Sequence, residues 1–341
     1  MNNIIGYPTL VTKQRYTVAS LFAGAGGLDM GFEKEGFRVV WANDIDPDAC
    51  KTHQLWSKAD VIQGDISKLD FDSIPHTDII TGGFPCQGFS LAGPRKLDDK
   101  RNVLYKYFVK LVELKQPAVF VAENVKGILT LGEGAIIEAI IENFSSRGYY
   151  VTPKLVNAAD YGVPQDRWRV IMIGVHKSLG VSQFDFLVPT GQRMTLAQAL
   201  VDLPQPKTSD ICQGAFSPRY MSRNRKRDWN EVSYTIPAMS KQVTLHPSSP
   251  NMIKVGEDKW VFGSSGKTRR FSWQEAAVIQ TFPKEMEFEG NLASKYKQIG
   301  NAVPVKLAQM IAMDIKELLD NRVSFNTRDV TWNSGTADKM G

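Results

Sequence analysis

Cys86 is the residue with the most evident reactive chemistry in the chain. It stands in TGGFPCQGFS, residues 81–90, directly after a segment with the composition of a buried strand. A cysteine in this position could be a small apolar core residue, a metal ligand, half of a disulfide or a nucleophile. Because Pro85 lacks a backbone donor and the neighbouring glycines favour a mobile loop, we interpret Cys86 as a candidate nucleophile.

A nucleophilic thiol needs neighbouring groups that favour the thiolate or handle protons. Glu123, in AENVKG, ends a later strand pattern, and Arg167 and Arg169, in QDRWRV, lie beside another. Taken singly, the glutamate could be a surface charge or a helix cap, and the arginines a solvated strand edge. Because these features gather with Cys86 at strand ends, we predict that they form one site.

A glycine-rich turn is the second chemical signal. SLFAGAGGLDMGF places Gly24, Gly26 and Gly27 where a strand pattern changes into a helix pattern. Glycines there let the backbone approach a ligand, and the free N–H groups at the helix start face that ligand. Many such turns bind nothing, so the signal depends on the residues at the next strand ends.

Carboxylates follow the next two strand patterns. Asp44 lies about 20 residues after the glycines, as expected for a group that binds ribose hydroxyls, and Asp65 with Ile66 could bracket an adenine. The three strand ends together predict a nucleoside cofactor. They leave open whether it is a dinucleotide or another adenosine cofactor.

The elements that would position these residues alternate between strand and helix in the first half of the chain. Strand patterns occupy 16–24, 38–44, 59–66, 77–83, 117–125 and 170–175. Helix patterns occupy 27–37, 47–56 and 103–115. Such alternation predicts a doubly wound α/β sheet, in which ligands bind at the carboxyl ends of the strands.

The alternation stops after about residue 180. Residues 186–270 are irregular and polar, with a basic run that is interleaved with aromatic residues. Helix patterns return at 272–282 and 304–321. The stretch 324–341 has no periodicity and is predicted to be a loose tail.

Composition excludes several classes of protein. The 341 residues carry a net charge of +5 and only three cysteines, which form no C-x-x-C pair. A disulfide scaffold and a structural zinc site are therefore not expected, and a reducing cytoplasm fits best. No apolar run approaches the ~20 residues that span a bilayer, and the N-terminus lacks the pattern of a signal peptide, so we expect no membrane segment.

Six motifs occur in order between about residues 17 and 320: FAGAGGLDMGF, GGFPCQGFS, ENVKG, QDRWRV, RRFSWQEAAVIQTFP and QIGNAVPV. They resemble the motifs of bacterial DNA (cytosine-5)-methyltransferases of the type II modification class. The resemblance implies a doubly wound mixed sheet of the S-adenosylmethionine-dependent methyltransferase type, with a smaller target-recognition domain. The implied boundaries are a catalytic and cofactor-binding domain over 1–185 and 296–325, a target-recognition domain over 186–295 and a flexible tail over 326–341.

The resemblance also implies a reaction. A cytosine is flipped out of duplex DNA, the Cys86 thiolate adds to C6, and C5 accepts a methyl group from S-adenosylmethionine, which leaves S-adenosylhomocysteine. Glu123 would hold or protonate N3, Arg167 would bind O2, and Arg169 would orient this cluster. No metal is required. The loop 82–100 would close behind the flipped base.

The implied cofactor residues lie at strand ends and in the closing motif. Ile45 stands where some relatives have a tryptophan against the adenine, and an aliphatic contact would replace it. The full set is Phe22, Gly24, Gly26, Gly27, Leu28, Asp44, Ile45, Asp65, Ile66, Pro85, Asn301 and Val303.

The basic run at 217–246 is the predicted DNA-recognition segment. Its stretches RYMSRNR, WNE and LHP resemble the recognition region of GGCC-specific relatives, whereas IPAMSKQVT departs from it. A basic run is often only a solvated face, but arginine can contact both phosphates and guanine edges. The residues predicted to contact DNA, at a short GC-rich site, are Gln87, Ser90, Arg225, Arg227 and Lys241.

The implied partner is double-stranded DNA. We expect a monomer of a restriction-modification system, in which a cognate restriction endonuclease acts on the same site without a stable complex. Three alternatives stay open: a tRNA cytosine methyltransferase of the same fold, a catalytically silent DNA-binding protein, and a dinucleotide-dependent oxidoreductase. The basic region favours DNA over tRNA, the set of Cys86, Glu123 and Arg167 argues against a silent protein, and the Pro-Cys-Gln and Arg-Trp-Arg motifs argue against an oxidoreductase.

Overall fold

The computed structural model describes residues 15–84, 103–182 and 184–331. Most of the loop 82–100 lies outside these ranges. So do four of the predicted site residues: Pro85, Cys86, Gln87 and Ser90. Their roles stay predictions.

A seven-stranded mixed sheet forms the centre of the fold. In chain order its strands are β1 (Thr17–Leu21), β2 (Arg38–Asp44), β3 (Asp60–Gln63), β4 (Ile79–Gly82), β5 (Val119–Val125), β6 (Tyr149–Asn157) and β8 (Trp168–His176), and the short β7 (Gln165–Asp166) lies outside it. The spatial order is β3-β2-β1-β4-β5-β8-β6. The first five of these are parallel, and β8 runs antiparallel to β5 and β6. The predicted doubly wound mixed sheet is confirmed.

The reversed direction of β8 matters for the site. In an all-parallel sheet the start of β8 would lie at the edge opposite to the carboxyl ends of the other strands. Because β8 is antiparallel to β5, Arg169 pairs with Val125 at the carboxyl end of β5. The first residues of β8 therefore join the edge where ligands bind in this class of fold.

Helices cover both faces of the sheet. In chain order they are α1 (Gly27–Lys34), α2 (Pro47–Trp56), α3 (Val103–Lys115), α4 (Ala135–Ser145), α5 (Leu196–Leu200), α6 (Trp273–Ile279), α7 (Leu292–Asn301) and α8 (Val305–Thr331). α1 and α8 pack on one face, and α3 and α4 pack on the other. The strands between them are buried on both faces, which explains their continuous runs of valine and isoleucine.

Local sequence explains where α2 begins. The side chain of Asp46 accepts hydrogen bonds from the backbone N–H groups of Asp48 and Ala49, and Pro47 occupies the first helical position. A capping carboxylate and a proline at this position are the strongest start signals for a helix. They place the end of β2 and the start of α2 only two residues apart, beside Asp44.

The irregular region holds α5, α6 and a hairpin of β10 (Met252–Gly256) and β11 (Lys259–Phe262), with the short β9 (Ser233–Tyr234) paired to β7. Arg270 is 2 % exposed, donates to the carbonyls of Cys212 and Gly214, and stacks on Phe216. One buried guanidinium thus ties the polar loop to the start of α6, and the loop needs no regular secondary structure of its own.

The predicted domain boundaries fall inside packed structure. The boundary at 295 and 296 lies within α7, and Phe186 and Leu187 pack in the core between the sheet and α8. A third cluster joins α5, α6 and α7 to Ala25 and Met30, which belong to the sheet domain. The division into two domains stays a prediction.

The last helix extends further than its sequence pattern. α8 ends at Thr331, although the apolar periodicity ends near Leu319, the last residue of the helix in the core. Residues 326–331, which belong to the predicted tail, are therefore helical, because hydrogen bonds within a helix continue without an apolar stripe. Residues 332–341 lie outside the described ranges.

Candidate active site

Glu123 and Arg169 form an ion pair at the carboxyl edge of the sheet. Nε of Arg169 lies 2.7 Å from Oε1 of Glu123, and the two side chains are 14 % and 13 % exposed, respectively. Glu123 comes from the end of β5 and Arg169 from the start of β8, so two paired strands hold the groups in place. A carboxylate that can transfer a proton is thus fixed next to a guanidinium that can donate hydrogen bonds.

Arg167 lines the cleft described below, but its guanidinium is bonded mainly to the backbone. It is 1 % exposed, and it donates to the carbonyls of Gly300 at 3.0 Å, Ala302 at 2.9 Å and Ile236 at 3.4 Å. Its guanidinium is therefore committed to the backbone, whereas Arg169 faces Glu123. Arg169 thus lies beside the carboxylate and Arg167 holds three backbone carbonyls, and the catalytic role of each arginine stays a prediction.

Burial also changes the acidity of Arg167. Desolvation lowers its pKa to about 9, the like charge of Arg169 acts in the same direction, and Glu123 opposes it. A guanidinium with this pKa is still cationic at neutral pH. Arg167 and Arg169 therefore both carry a positive charge at this edge of the sheet, which favours the binding of a group with negative charge there.

The segment that leads to Cys86 leaves β4 beside the ion pair. A Cβ on Gly83 would lie 3.4 Å from Oε2 of Glu123, so the backbone passes against the carboxylate. Phe84 is buried, and its carbonyl accepts a hydrogen bond of 3.0 Å from Nδ2 of Asn124. The last described residues before Cys86 are thus anchored next to Glu123.

A cleft of about 550 Å³ runs from the ion pair along the carboxyl ends of the strands. Glu123 and Arg169 line it together with Val125. Nine of the predicted cofactor residues also line it: Phe22, Gly24, Leu28, Asp44, Ile45, Asp65, Ile66, Asn301 and Val303. The predicted cofactor residues and the ion pair therefore share one cavity.

Gly26 and Gly27 support this cleft from behind and do not line it. Gly26 has a φ of 82°, and a Cβ there would lie 2.2 Å from Cζ2 of Trp56. A Cβ on Gly27 would lie 2.4 Å from the carbonyl oxygen of Val303. These glycines allow α1 to pack closely against α2 and against the segment before α8, so their predicted direct role in binding a ligand is not supported by their position.

Asp44 holds the glycine-rich turn in addition to lining the cleft. Its carboxylate accepts from the N–H of Gly24 at 2.8 Å and from the N–H of Asp46 at 2.9 Å. Burial raises the pKa of Asp44, while these two N–H groups favour the ionised form. Each carboxylate oxygen keeps a further acceptor site.

Ile45 gives the same rim an apolar surface, since its side chain is 68 % exposed. Beyond it, Asp65 caps a short helical turn through the N–H of Ser67, which lowers the pKa of Asp65. The cleft therefore offers a carboxylate, an apolar surface and an open glycine turn. A nucleoside fits this combination, because its ribose hydroxyls can donate to the carboxylate and its base can pack on the apolar surface.

Three residues that the sequence analysis did not single out shape this site. Lys297, on α7, pairs with Asp46 at 2.7 Å across the rim of the cleft. Gln165 and Gln280 are fully buried and hydrogen-bonded to each other at 2.9 Å. Both glutamines belong to motifs quoted above, and Gln165 opens QDRWRV, but the sequence analysis assigns neither of them a role.

Arg225 is committed to its own loop. It is 6 % exposed, donates to the carbonyls of Tyr220 at 3.0 Å and Arg219 at 3.2 Å, and lies over the Tyr220 ring. Burial lowers its pKa. Contact between Arg225 and DNA stays a prediction, and it requires the guanidinium to leave these acceptors.

The other two predicted DNA contacts are more accessible. Arg227 is half-buried, pairs with Glu231 at 2.8 Å and Asp166 at 3.3 Å, and lies over the ring of Tyr234. Lys241 is exposed. Lys241 is thus the most accessible of the three, since Arg225 is buried and Arg227 is half-buried.

The described residues hold neither a cluster of metal ligands nor a membrane-spanning helix. In residues 15–84, 103–182 and 184–331, no group of three or more His, Cys, Asp or Glu side chains could hold a metal ion. Across the same ranges, no helix is both long and apolar enough to cross a bilayer. Cys50 and Cys212 are buried free thiols.

Comparison with known proteins identifies the family. A model of the family described as C-5 cytosine-specific DNA methylase matches residues 16–317. The chain belongs to this family. The methyltransferase therefore combines the mixed sheet of S-adenosylmethionine-dependent enzymes with a family activity on cytosine in DNA, and the oxidoreductase alternative is excluded.

Curated relatives extend over most of the methyltransferase. It is 41 % identical to the type II methyltransferase M.BsuRI of Bacillus subtilis, over 88 % of this chain and 79 % of the relative. It is also 41 % identical to the type II methyltransferase M.MthTI of Methanothermobacter thermautotrophicus, over 89 % of this chain and 98 % of the relative. The methyltransferase is thus similar to restriction-modification enzymes along nearly its whole length.

Solved structures give the same fold. A DNA modification methyltransferase encoded in an Escherichia coli prophage superimposes with a TM-score of 0.70 and 27 % identity, over 89 % of this chain and 99 % of that one. The S. pombe Dnmt2 methyltransferase superimposes with a TM-score of 0.66 at 16 % identity, over 89 % of this chain and 99 % of that one, which supports the fold alone.

Proposed function

We propose that the methyltransferase modifies C5 of cytosine within a short sequence of duplex DNA, through a covalent bond between Cys86 and C6. The observation that carries this proposal is the Glu123–Arg169 ion pair, which lies in the same cleft as the cofactor residues and beside the segment that leads to Cys86. A carboxyl group and a guanidinium side by side match N3 and O2, which are adjacent on the edge of cytosine.

Each residue would act on a different atom of the base. The Cys86 thiolate adds to C6, while Glu123, once it has taken up a proton from solvent, gives that proton to N3, and Arg169 donates a hydrogen bond to O2, where negative charge develops. The electron pair displaced from the C5–C6 double bond makes C5 nucleophilic. After C5 is methylated, loss of H5 as a proton and departure of the Cys86 thiolate restore the ring.

The cleft fits the cofactor that this chemistry needs. S-adenosylmethionine supplies an electrophilic methyl group when bound. Asp44 would accept hydrogen bonds from the ribose hydroxyls, Ile45 would contact the adenine, and the open backbone at Gly24 would allow close approach. Asn301 and Val303 line the same cleft.

Cytosine in a duplex is out of reach of this cleft, so we propose that the target base is flipped out of the stack, at a cost of a few kcal/mol. The segment 217–246 would choose the sequence, a short GC-rich site on the motif resemblance given above. A monomer acting in the cytoplasm beside a cognate restriction endonuclease is the matching cellular role.

Bisulfite sequencing of DNA from cells that express the methyltransferase tests the proposal. We expect modified cytosines at one short motif, no modification with Cys86→Ala, and retained modification with Cys212→Ala, which removes a buried thiol away from the ion pair. Modified cytosines scattered without a common motif would contradict site-specific methylation. Methyl transfer to tRNA in preference to duplex DNA would favour the tRNA alternative.

A further inference from the structure

A chain of buried hydrogen bonds joins the recognition region to the wall of the cofactor cleft. The backbone N–H of Ile236 donates to Oε1 of Gln165 at 2.9 Å, and Nε2 of Gln165 donates to Oε1 of Gln280 at 2.9 Å. Nε2 of Gln280 then donates to the carbonyls of Ile299 at 2.6 Å and Ala302 at 3.2 Å. Two side-chain amides thus span from one segment to the other.

The direction of this chain is fixed at both ends. Ile236 presents an N–H, so Gln165 must offer its oxygen there and its NH₂ to Gln280. Ile299 and Ala302 present carbonyls, so Gln280 must offer its NH₂ to them and its oxygen to Gln165. Reversing either amide would place like groups together in a site where both glutamines are fully buried.

Close packing reinforces the connection. A Cβ on Gly300 would lie 2.3 Å from the backbone of Pro237 and Ala238, so the two segments touch without space for a side chain. Arg167 bridges them a second time, through the carbonyls of Ile236, Gly300 and Ala302. Two residues after Arg167, the start of β8 carries Arg169.

The segment at the receiving end lines the cofactor cleft. Gly300, Asn301, Ala302 and Val303 all line it. The segment at the other end continues from β9 into the 236–246 part of the recognition region. A shift of the recognition segment on DNA would therefore move carbonyls that hold the cleft wall.

We propose that Gln165 and Gln280 are positioning residues that couple DNA binding at the recognition region to binding in the cofactor cleft. This inference rests on the proposed function, because it takes the cleft as the cofactor site and 217–246 as the DNA site. Coupling between two sites is reciprocal, so DNA should tighten cofactor binding by the same factor by which the cofactor tightens DNA binding.

The test measures the dissociation constant of S-adenosylhomocysteine by titration calorimetry, with and without a short duplex that contains the site found by bisulfite sequencing. We expect the duplex to tighten binding by about 5-fold or more, the lower range of measured couplings. The isosteric Gln280→Glu removes the donor to Ile299 and Ala302, and it should bring this ratio close to one. Gln165→Glu should do the same, and the double variant should lose nothing further.

Controls separate coupling from damage to the fold. Gln192→Glu makes the same chemical change on an exposed glutamine and should keep the wild-type ratio. If a glutamate variant does not fold, Gln280→Met and Gln165→Met replace the amides by side chains of similar size without charge. A merely structural role would weaken binding with and without DNA by the same factor and leave the ratio unchanged, which would overturn the inference.

A wild-type ratio of one would also overturn it. Absence of S-adenosylhomocysteine binding or of duplex binding by the wild type would instead contradict the proposed function. The two failures are therefore distinguishable in one set of titrations.

Discussion

Asp29 and His53 face each other at 3.5 Å in the interior of the protein, and both side chains are fully buried. Asp29 lies in the first turn of α1, and His53 lies on α2, stacked on Trp56 with 4.9 Å between the ring centroids. The indole N–H of Trp56 donates to the carbonyl of Ala25, within the glycine-rich turn. The buried side chains of Asp29 and His53 therefore pack, through Trp56, beneath the glycine-rich turn.

Burial acts on the two groups in opposite directions. Desolvation raises the pKa of Asp29 to about 7, against which the hydroxyls of Ser20 and Thr81 act, and it lowers the pKa of His53 to about 4. Glu33 adds a further increase for Asp29. Near neutral pH the folded protein thus keeps His53 neutral and holds a proton on Asp29 that the unfolded chain would release.

Asp29→Asn should stabilise the protein above neutral pH. Because the pKa of Asp29 is raised on folding, its contribution to the free energy of unfolding falls as pH rises from about 4 to about 7. Asp29→Asn removes the titrating group, so its free energy of unfolding should equal that of the wild type near pH 4. At pH 8 it should exceed the wild-type value by at most about 4 kcal/mol. Urea denaturation at pH 4, 6 and 8 measures the difference.

His53 determines how the free energy of unfolding of Asp29→Asn depends on pH. Its lowered pKa means that stability rises with pH between about 4 and the ordinary value of 6.5, which offsets the Asp29 effect in the wild type. Asp29→Asn should expose that rise and then level off. Asp60→Asn, on the exposed first residue of β3, is the control and should follow the wild type. Equal profiles for wild type and Asp29→Asn would contradict the prediction.

The sequence predicted the parallel half of the fold well and the antiparallel half poorly. RVVWAND and PDACKTHQLW match β2 and α2 residue for residue, since both faces of the strand are buried and a capping aspartate and a proline mark the helix start. β6 was not predicted. Its sequence, YYVTPKLVN, contains a proline and polar residues, which an edge strand tolerates and a central strand does not.

The sequence predicts which residues belong to the site but not which of them contact each other. Glu123, Arg167 and Arg169 are recognisable because they gather with Cys86 at strand ends and belong to the motifs ENVKG and QDRWRV. Which arginine is held by the backbone depends on where the returning segment at 300–302 lies, a long-range contact across more than 130 residues. Periodicity along one strand carries no information on such a contact, so the roles of the two arginines could not be separated.

Arg169→Gln and Arg167→Met should fail in different ways. Arg169→Gln removes the donor beside Glu123 and should lower the single-turnover methylation rate by about 10²- to 10³-fold, the usual cost of one donor to developing charge, beyond any loss of stability from leaving Glu123 without its ion-pair partner. Arg167→Met removes the donor to the carbonyls of Gly300 and Ile236, leaves that of Ala302 with Gln280 alone, and should lower the free energy of unfolding by about 3 kcal/mol.

Single-turnover kinetics and urea denaturation of both variants separate these outcomes. Lys34→Gln is the control. It removes a positive charge from the last residue of α1, which does not belong to the Glu123–Arg169 ion pair. If Arg167→Met kept full stability and lost the chemical step, whereas Arg169→Gln kept its rate, the roles predicted from the sequence would be right and the structural assignment wrong.

Gly26→Ala should distort the cofactor cleft from behind. The added Cβ would lie 2.2 Å from the Trp56 ring and 2.8 Å from Nε2 of His53, at a φ of 82° that side chains rarely adopt. Overpacking and backbone strain together should cost about 2 to 4 kcal/mol of stability. Displacement of the turn should also raise the dissociation constant of S-adenosylhomocysteine.

Gly127→Ala is the matched control, because a Cβ there meets no atom within 4 Å and the residue has no positive φ. Thermal denaturation and calorimetric titration of the two variants give the comparison. Wild-type stability and affinity in Gly26→Ala would show that α2 can retreat without disturbing the turn, and the close packing of Gly26 on Trp56 would then not be required.

Lys241→Gln and Arg225→Met should separate DNA contact from loop support. Lys241 is exposed, so its replacement should weaken duplex binding and reduce the salt dependence of the affinity by about one counterion, with stability unchanged. Arg225 is buried among the carbonyls of its own loop, so Arg225→Met should lower stability by about 1 to 3 kcal/mol.

Fluorescence anisotropy at several salt concentrations, with urea denaturation of each variant, measures both effects. A reduced salt slope and unchanged stability for Arg225→Met would mean that its guanidinium leaves the loop to contact DNA.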